Sequence, residues 1–198
     1  RRPSLSHRFL VSASFYGFLL RIDEEFAETV REAGCGCGDG RLHKANYPRK
    51  PRGGPDDLGK EHHERLSYCC DRDGCRKRAT PPSVRFLGRY VYLGAVVTLV
   101  TAVMQGATPA RLRKLAALVG DVSARTLERW RSWWQETFPS TEFWREHGAR
   151  LSPALAGDRL PASLIERFAG HDLRARLVAT LRFLSPLTTA WRPPARKK

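Results

Sequence analysis

The sequence predicts a mainly α protein in which a small, metal-braced β and loop insertion lies between an N-terminal helix and a helical body. Three observations predict it. Apolar residues recur at steps of three and four before Gly34 and again from Val84 to about Trp191; all five cysteines fall between Gly34 and Pro82; and that middle stretch has too few large apolar residues to build a core of its own. With 198 residues and 41% hydrophobic content, the chain can bury one good core or two small modules. The expected organisation is an amphipathic helix over 1–34, a zinc-ribbon-like region over 35–82, a helix-turn-helix domain over 84–138, C-terminal helices over 139–191 and a basic tail over 192–198.

The first helix is carried by Phe15, Phe18, Leu19, Ile22, Phe26 and Val30, with Arg21, Asp23, Glu24, Glu25 and Arg31 on the other face and Gly34 as its stop. Its apolar face is expected to pack within the chain. The opening stretch RRPSLSHRFLVSASFYGFLL is interrupted by Ser12, Ser14 and Gly17 and runs straight into charged residues, so it does not read as a secretory signal. Together with an odd number of cysteines, this points to a reducing compartment and to metal rather than disulfides.

Two cysteine clusters stand apart in the insertion, AGCGCGDG at Ala33–Gly40 and YCCDRDGCRKRATPP at Tyr68–Pro82. A structural zinc needs four thiolate or imidazole ligands at the corners of a tetrahedron, and ribbons supply them from two tight turns with glycine nearby. Cys35, Cys37, Cys70 and Cys75 fit that plan. The first pair is Cys-x-Cys and the second Cys-x4-Cys, and the gap between them is longer than the usual ~15–20 residues. A long hairpin carrying YPRKPRGG at its tip would absorb the excess. Cys69 in place of Cys70, and His62 or His63 as a replacement ligand, remain open at this level. A four-cysteine site leaves no position for water or substrate, so the expected zinc is structural.

The run Tyr90–Met104 is apolar throughout but shorter than the ~20 residues that span a bilayer, and reads as a buried helix. No membrane partner is expected. Beyond it, Thr108 before Pro109 opens a helix that Gly120 ends, and Ser123 is an N-cap for a second helix carrying Leu127, Trp130 and Trp134 on one face. Two short helices about a glycine-containing turn are the helix-turn-helix pattern. The second helix would offer Ser123, Arg125, Thr126 and Arg129 to the major groove, while Arg111, Arg113 and Lys114 of the first would meet phosphates. Trp133, Trp134, Trp144, Phe138 and Phe143 are expected to be core. The C-terminal part reads as helices over Ala162–Phe168 and Asp172–Leu184.

A net charge of +15 and a pI near 10.4 call for a polyanionic partner. An Arg-biased composition is the competing account. Arg49, Lys50 and Arg52 on the loop and Arg76, Lys77 and Arg78 after the last cysteine are expected to hold phosphate. No phosphate-binding Gly-rich loop, nucleophile elbow or His-Glu-x-x-His is present, and Asp158, Glu166 and Asp172 sit on no strand-like run that would make a nuclease core.

YCCDRDGCRKRATPP, a long helix, and then LAALVGDVSARTLERWRSWW resemble the N-terminal part of bacterial insertion-sequence transposases, in which a zinc ribbon precedes a helix-turn-helix. The likeness runs from about Cys35 to Phe138 and stops short of the family's catalytic domain. The turn at Gly120–Val122 carries one extra residue relative to that pattern. The resemblance implies zinc at the cysteines and DNA recognition around Arg125, Thr126 and Arg129. The expectation is a non-enzymatic, zinc-stabilised, cytoplasmic and nucleoid-associated bacterial protein that binds double-stranded DNA, with a second copy or an element-encoded protein as further partner. An RNA-binding ribbon module and a protein-interaction adaptor are the alternatives.

Overall fold

The structure, a computed structural model, describes residues 5–87, 92–104, 122–151 and 155–190. As the sequence predicts, the fold is mainly helical with a small antiparallel β portion. A 3-10 turn over Leu5–Val11 leads into α1, Ala13–Ala33. Gly34 ends this helix with φ of 79°, a left-handed value that a side chain disfavours, while its N–H donates to the Val30 carbonyl at 3.1 Å. Phe15, Tyr16, Leu19, Ile22, Asp23, Ala27 and Val30 are its buried residues, the i, i+3, i+4 stripe of a helix lying on a core.

The insertion is one long hairpin in a single register. β1 (Leu42–Lys44) pairs antiparallel with β4 (Tyr68–Cys70), and β2 (Tyr47–Pro48) with β3 (Glu64–Arg65). The stretch between them keeps step, since Ala45 donates to the Ser67 carbonyl at 2.8 Å and Arg49 to that of His63 at 2.6 Å. A third strand, β5 (Arg78–Ala79), pairs with β4 to give the order β1-β4-β5. The residues between Lys50 and His62 close the far end.

The helical body begins with α2, Gly94–Met104, in which every residue from Ala95 to Val100 is buried, as an all-apolar helix requires. Tyr90 and Val91, where the sequence places the start of this helix, lie outside the described residues. Leu93 is held extended by its N–H to the Arg52 carbonyl at 3.0 Å, and Gly94 donates to the Arg85 carbonyl at 2.8 Å, so the helix opens only at Gly94. α3, Ala124–Ser132, starts at Ser123, whose hydroxyl accepts from the Thr126 N–H at 3.3 Å. It runs on through a π turn, Trp133–Thr137, and a 3-10 turn, Phe138–Ser140. Trp130, Trp134 and Phe138 are all buried. Aromatics spaced by four overshoot the 3.6-residue turn of an α-helix, and winding part of the segment by i→i+5 bonds keeps them on the core side.

α4 (Glu142–Gly148), α5 (Ala162–Arg167) and α6 (Leu173–Leu184) complete the body. Thr141 caps α4, accepting from the Trp144 N–H at 3.1 Å, and Asp172 caps α6, accepting from the Ala175 N–H at 2.7 Å. α6 packs on α2 and α5. Trp133, Phe143 and Trp144 pack against the same core, partly buried. Among the described residues no helix is long and apolar enough to cross a membrane.

Two apolar clusters result, and α1 belongs to both. Its first half, with Phe15, Leu19 and Ile22, enters the helical core, whereas Ala27 and Val30 join Cys35, Leu42, Tyr68, Cys70 and Ala79 beneath the hairpin. Asp23 sits between these halves, fully buried. Its carboxylate accepts from Arg85 Nε at 2.8 Å, the Ser83 hydroxyl at 2.6 Å and the Val84 N–H at 2.7 Å. Arg85, also buried, spends its other donors on the carbonyls of His62 at 3.3 Å and Glu64 at 3.0 Å. A buried pair is expensive to desolvate, and breaking one by removing a single partner typically costs about 3–5 kcal/mol. Asp23→Ala is therefore expected to lose stability on that scale in urea unfolding, and Asp23→Ala with Arg85→Ala to lose clearly less than the two single changes summed.

Candidate metal centre and nucleic-acid interface

The hairpin brings the two cysteine clusters to one end. Cys35 and Cys37 lie in the turn just before β1, Cys70 ends β4, and Cys75 lies in the turn to β5. All five cysteines are free thiols. The Sγ atoms of Cys35, Cys37, Cys70 and Cys75 all lie within 4.8 Å of one another, an arrangement that could hold a metal ion. Cys35 and Cys75 sulfurs are 3.7 Å apart and those of Cys37 and Cys70 3.8 Å apart. A tetrahedral four-thiolate site with metal–sulfur bonds of about 2.3 Å has sulfur–sulfur edges of about 3.8 Å, so the spacing suits a metal and not a disulfide. Cys69 stands outside the cluster, its thiol directed to the Arg76 carbonyl at 3.5 Å. His62 is buried beside Glu61 and is likewise no member.

The surroundings of the sulfurs pull in opposite directions. The N–H groups of Asp39 and then Gly40 pull the Cys37 thiol down to about 6 against the opposing effect of burial. Burial pushes Cys70 up to about 12, with the Arg72 N–H pulling the other way, and burial also raises Cys35. Four sulfurs in one pocket cannot all ionise unaided, and a bound cation would take the place of the protons. Gly40 makes the close approach sterically feasible: a Cβ there would lie 2.1 Å from Cys70 Sγ and 3.3 Å from Cys37 Sγ. Arg72 donates to Asp39 at 3.1 Å and to the Cys37 carbonyl at 3.5 Å, which places a guanidinium where four thiolates around a divalent ion would leave excess negative charge.

The basic residues divide into three groups. Arg76, Lys77 and Arg78 are exposed beside the cysteines, where Arg76 pairs with Asp73 at 2.9 Å and Arg78 lies over the Tyr47 ring at 5.4 Å while donating to the Ser67 hydroxyl at 3.0 Å. At the hairpin's far end Lys50 and Arg52 are exposed, whereas Arg49 is half-buried with its guanidinium over Phe86 at 5.3 Å. On α3, Ser123, Arg125 and Arg129 are exposed and Thr126 is half-buried. Arg111, Arg113 and Lys114, with the helix expected at Thr108–Gly120, lie outside the described residues, as does the basic tail.

One juxtaposition is invisible from spacing. Arg52 of the hairpin loop lines the same cleft as Thr126 and Arg129 of α3, a space of about 710 Å³ whose other walls include Tyr92, Trp133, Glu128 and Glu136. The bridge between Arg52 and Tyr92 sets this, because it fastens the loop to the residues that precede α2. The approach of Gly40 to Cys70 and the pairing of Arg72 with Asp39 are likewise tertiary: GCGCGDG marks only a glycine-rich turn, and Arg72 reads in the sequence as one of the basic groups around Cys75.

No protein-family model, no curated protein and no solved structure matches the chain.

Cys70→Ser is expected to abolish tight metal retention and Cys69→Ser to spare it, as read by metal content after dialysis. Gly40→Ala should weaken retention without removing any ligand, since the Cys70 sulfur cannot move aside and stay in the cluster. Thiols that give up protons on binding make affinity rise with pH, so acidification should release the metal; a flat profile between pH 5 and pH 8 would contradict thiolate ligation.

Proposed function

We propose that the chain is a non-enzymatic DNA-binding protein braced by a structural zinc ion, reading duplex DNA with the exposed N-terminal half of α3. The observation that carries this reading is the two-sidedness of α3: Trp130 and Trp134 anchor one side in the core, while Ser123, Arg125 and Arg129 face solvent. That is the arrangement a recognition helix needs, because a rigidly seated helix can hold Arg against guanine O6 and N7 in a fixed frame. Exposed Lys50 and Arg52 at the hairpin tip would add phosphate contacts alongside, and the +15 charge would draw the polyanion.

Zinc is favoured among metals by a closed set of four thiolates in tight turns, the donor set of structural zinc sites. Its role would be to hold the cysteine end of the hairpin, where few apolar residues do so. Glu166 accepts from Arg159 at 2.9 and 3.1 Å and Asp172 caps α6, so these carboxylates have structural employment, which supports a binding role over a nuclease. Association with a bacterial mobile element rests on the likeness of the two quoted motifs to transposase N-terminal regions.

Selection from a randomised duplex pool at physiological salt, with an RNA pool in competition, tests the reading. Enrichment of a duplex motif is expected, and Arg125→Ala should weaken binding to it by about 1–3 kcal/mol and relax its sequence preference. RNA enrichment, or none, would overturn it.

A further inference from the structure

The cleft between α3 and the hairpin loop has a composition that a phosphate contact does not explain. Its rim carries two guanidiniums, Arg52 and Arg129, and two carboxylates, Glu128 and Glu136, with Trp133 and Tyr92 supplying aromatic wall. Its volume of about 710 Å³ lies inside the ~300–1,000 Å³ range of small-ligand sites. A phosphate would be attracted by the arginines but repelled by the glutamates, and a basic side chain the reverse. The complement is a planar, uncharged heterocycle with acceptors on one edge and donors on another. Among nucleobases guanine alone offers O6 and N7 acceptors to an arginine together with adjacent N1–H and N2–H₂ donors to a carboxylate.

We propose that this cleft binds an unpaired guanine base, stacked against its aromatic wall, with Arg52 or Arg129 on the O6/N7 edge and Glu128 on the N1–H/N2–H₂ edge. The polar groups are partly positioned in advance. Arg129 donates to the Thr126 hydroxyl at 3.4 Å, and the Ser132 hydroxyl donates to Glu136 at 2.7 Å, whereas Glu128 accepts no such bond from the described residues. Trp133 meets Trp134 edge to face with centroids 4.8 Å apart, and Tyr92 meets Trp130 in the same way at 4.9 Å, so both wall rings are braced from behind by buried tryptophans. A base inside a duplex cannot reach such a site; an extruded base or a single-stranded end can, and stacking on an aromatic ring is worth about 1–3 kcal/mol per base. The proposal deepens the nucleic-acid reading of α3 and rests on it for the choice of partner, while the cleft itself does not depend on duplex recognition.

The test is calorimetric titration of the metal-loaded full chain with the 5′-monophosphates of guanosine, adenosine, cytidine and uridine, in parallel with a gel-shift assay on duplex. Guanosine monophosphate is expected to bind at least tenfold more tightly than the other three. Glu128→Gln, an exposed change that leaves the core intact, should erase that preference while duplex binding to α3 persists; Trp133→Leu should weaken all four nucleotides together. Equal affinity for the four, or none, would overturn the guanine site even if duplex is bound. Selective guanine binding without duplex binding would keep the cleft and remove the recognition-helix reading, so the two failures separate.

Discussion

The Asp23 carboxylate is the point on which the two halves of the molecule are pinned. It is buried on α1 between a stretch that packs into the helical core and a stretch that packs beneath the hairpin, and its three donors all come from residues 83–85. Those residues in turn reach the hairpin, since Arg85 donates to the carbonyls of His62 and Glu64. A second buried arginine repeats the tactic. Arg65 donates to the carbonyls of Pro81 and Thr188, tying β3 to the end of the helical body. Burying such charges is costly unless their donors find acceptors, as those of Arg85 do, whereas one guanidinium nitrogen of Arg65 has none among the described residues; the result is a fixed angle between elements that apolar contact alone would leave loose.

That fixed angle is what lets the hairpin matter at both ends. Its cysteine end has a small apolar cluster and four thiols at tetrahedral spacing, while its far end is fastened by the Arg52–Tyr92 bridge to the residues leading into α2. The single register between these ends carries the position of the metal site to the position of Arg52. Arg52 then stands beside α3, although more than seventy positions separate it from Thr126 in the chain.

What could be read from the sequence follows from what is local. The apolar stripe of α1 and its stop at Gly34, the Ser123 cap, the core placement of Trp130, Trp134 and Phe138, and helices near Ala162 and Asp172 all rest on periodicity and capping within a dozen residues, whereas the helix expected over 1–34 begins only at Ala13, after a 3-10 turn. The two cysteine clusters could be paired because a metal site demands four ligands, and the long gap between them has its counterpart in the long hairpin. Asp23 looked like one more solvated acid on a polar face, since only the tertiary fold brings Ser83, Val84 and Arg85 to it. The non-helical path of residues 83–87 was hidden for the same reason: apolar Val84, Phe86 and Leu87 suit a helix or a strand, and the Asp23 hydrogen bonds with the Phe86–Leu93 bridge decide. The cleft was missed because it joins three stretches that share no pattern.

On the proposed reading α3 and the hairpin tip form one surface, held by the buried Asp23–Arg85 pair and braced at the hairpin's other end by the proposed metal. Hydrogen–deuterium exchange of the metal-loaded chain, with and without bound duplex, tests this most directly. Protection is expected to appear together at the first turns of α3, over Ser123–Arg129, and at the loop around Lys50–Gly54. Protection confined to the cysteine turns and Arg76–Arg78, or spread evenly over the basic surface, would contradict it.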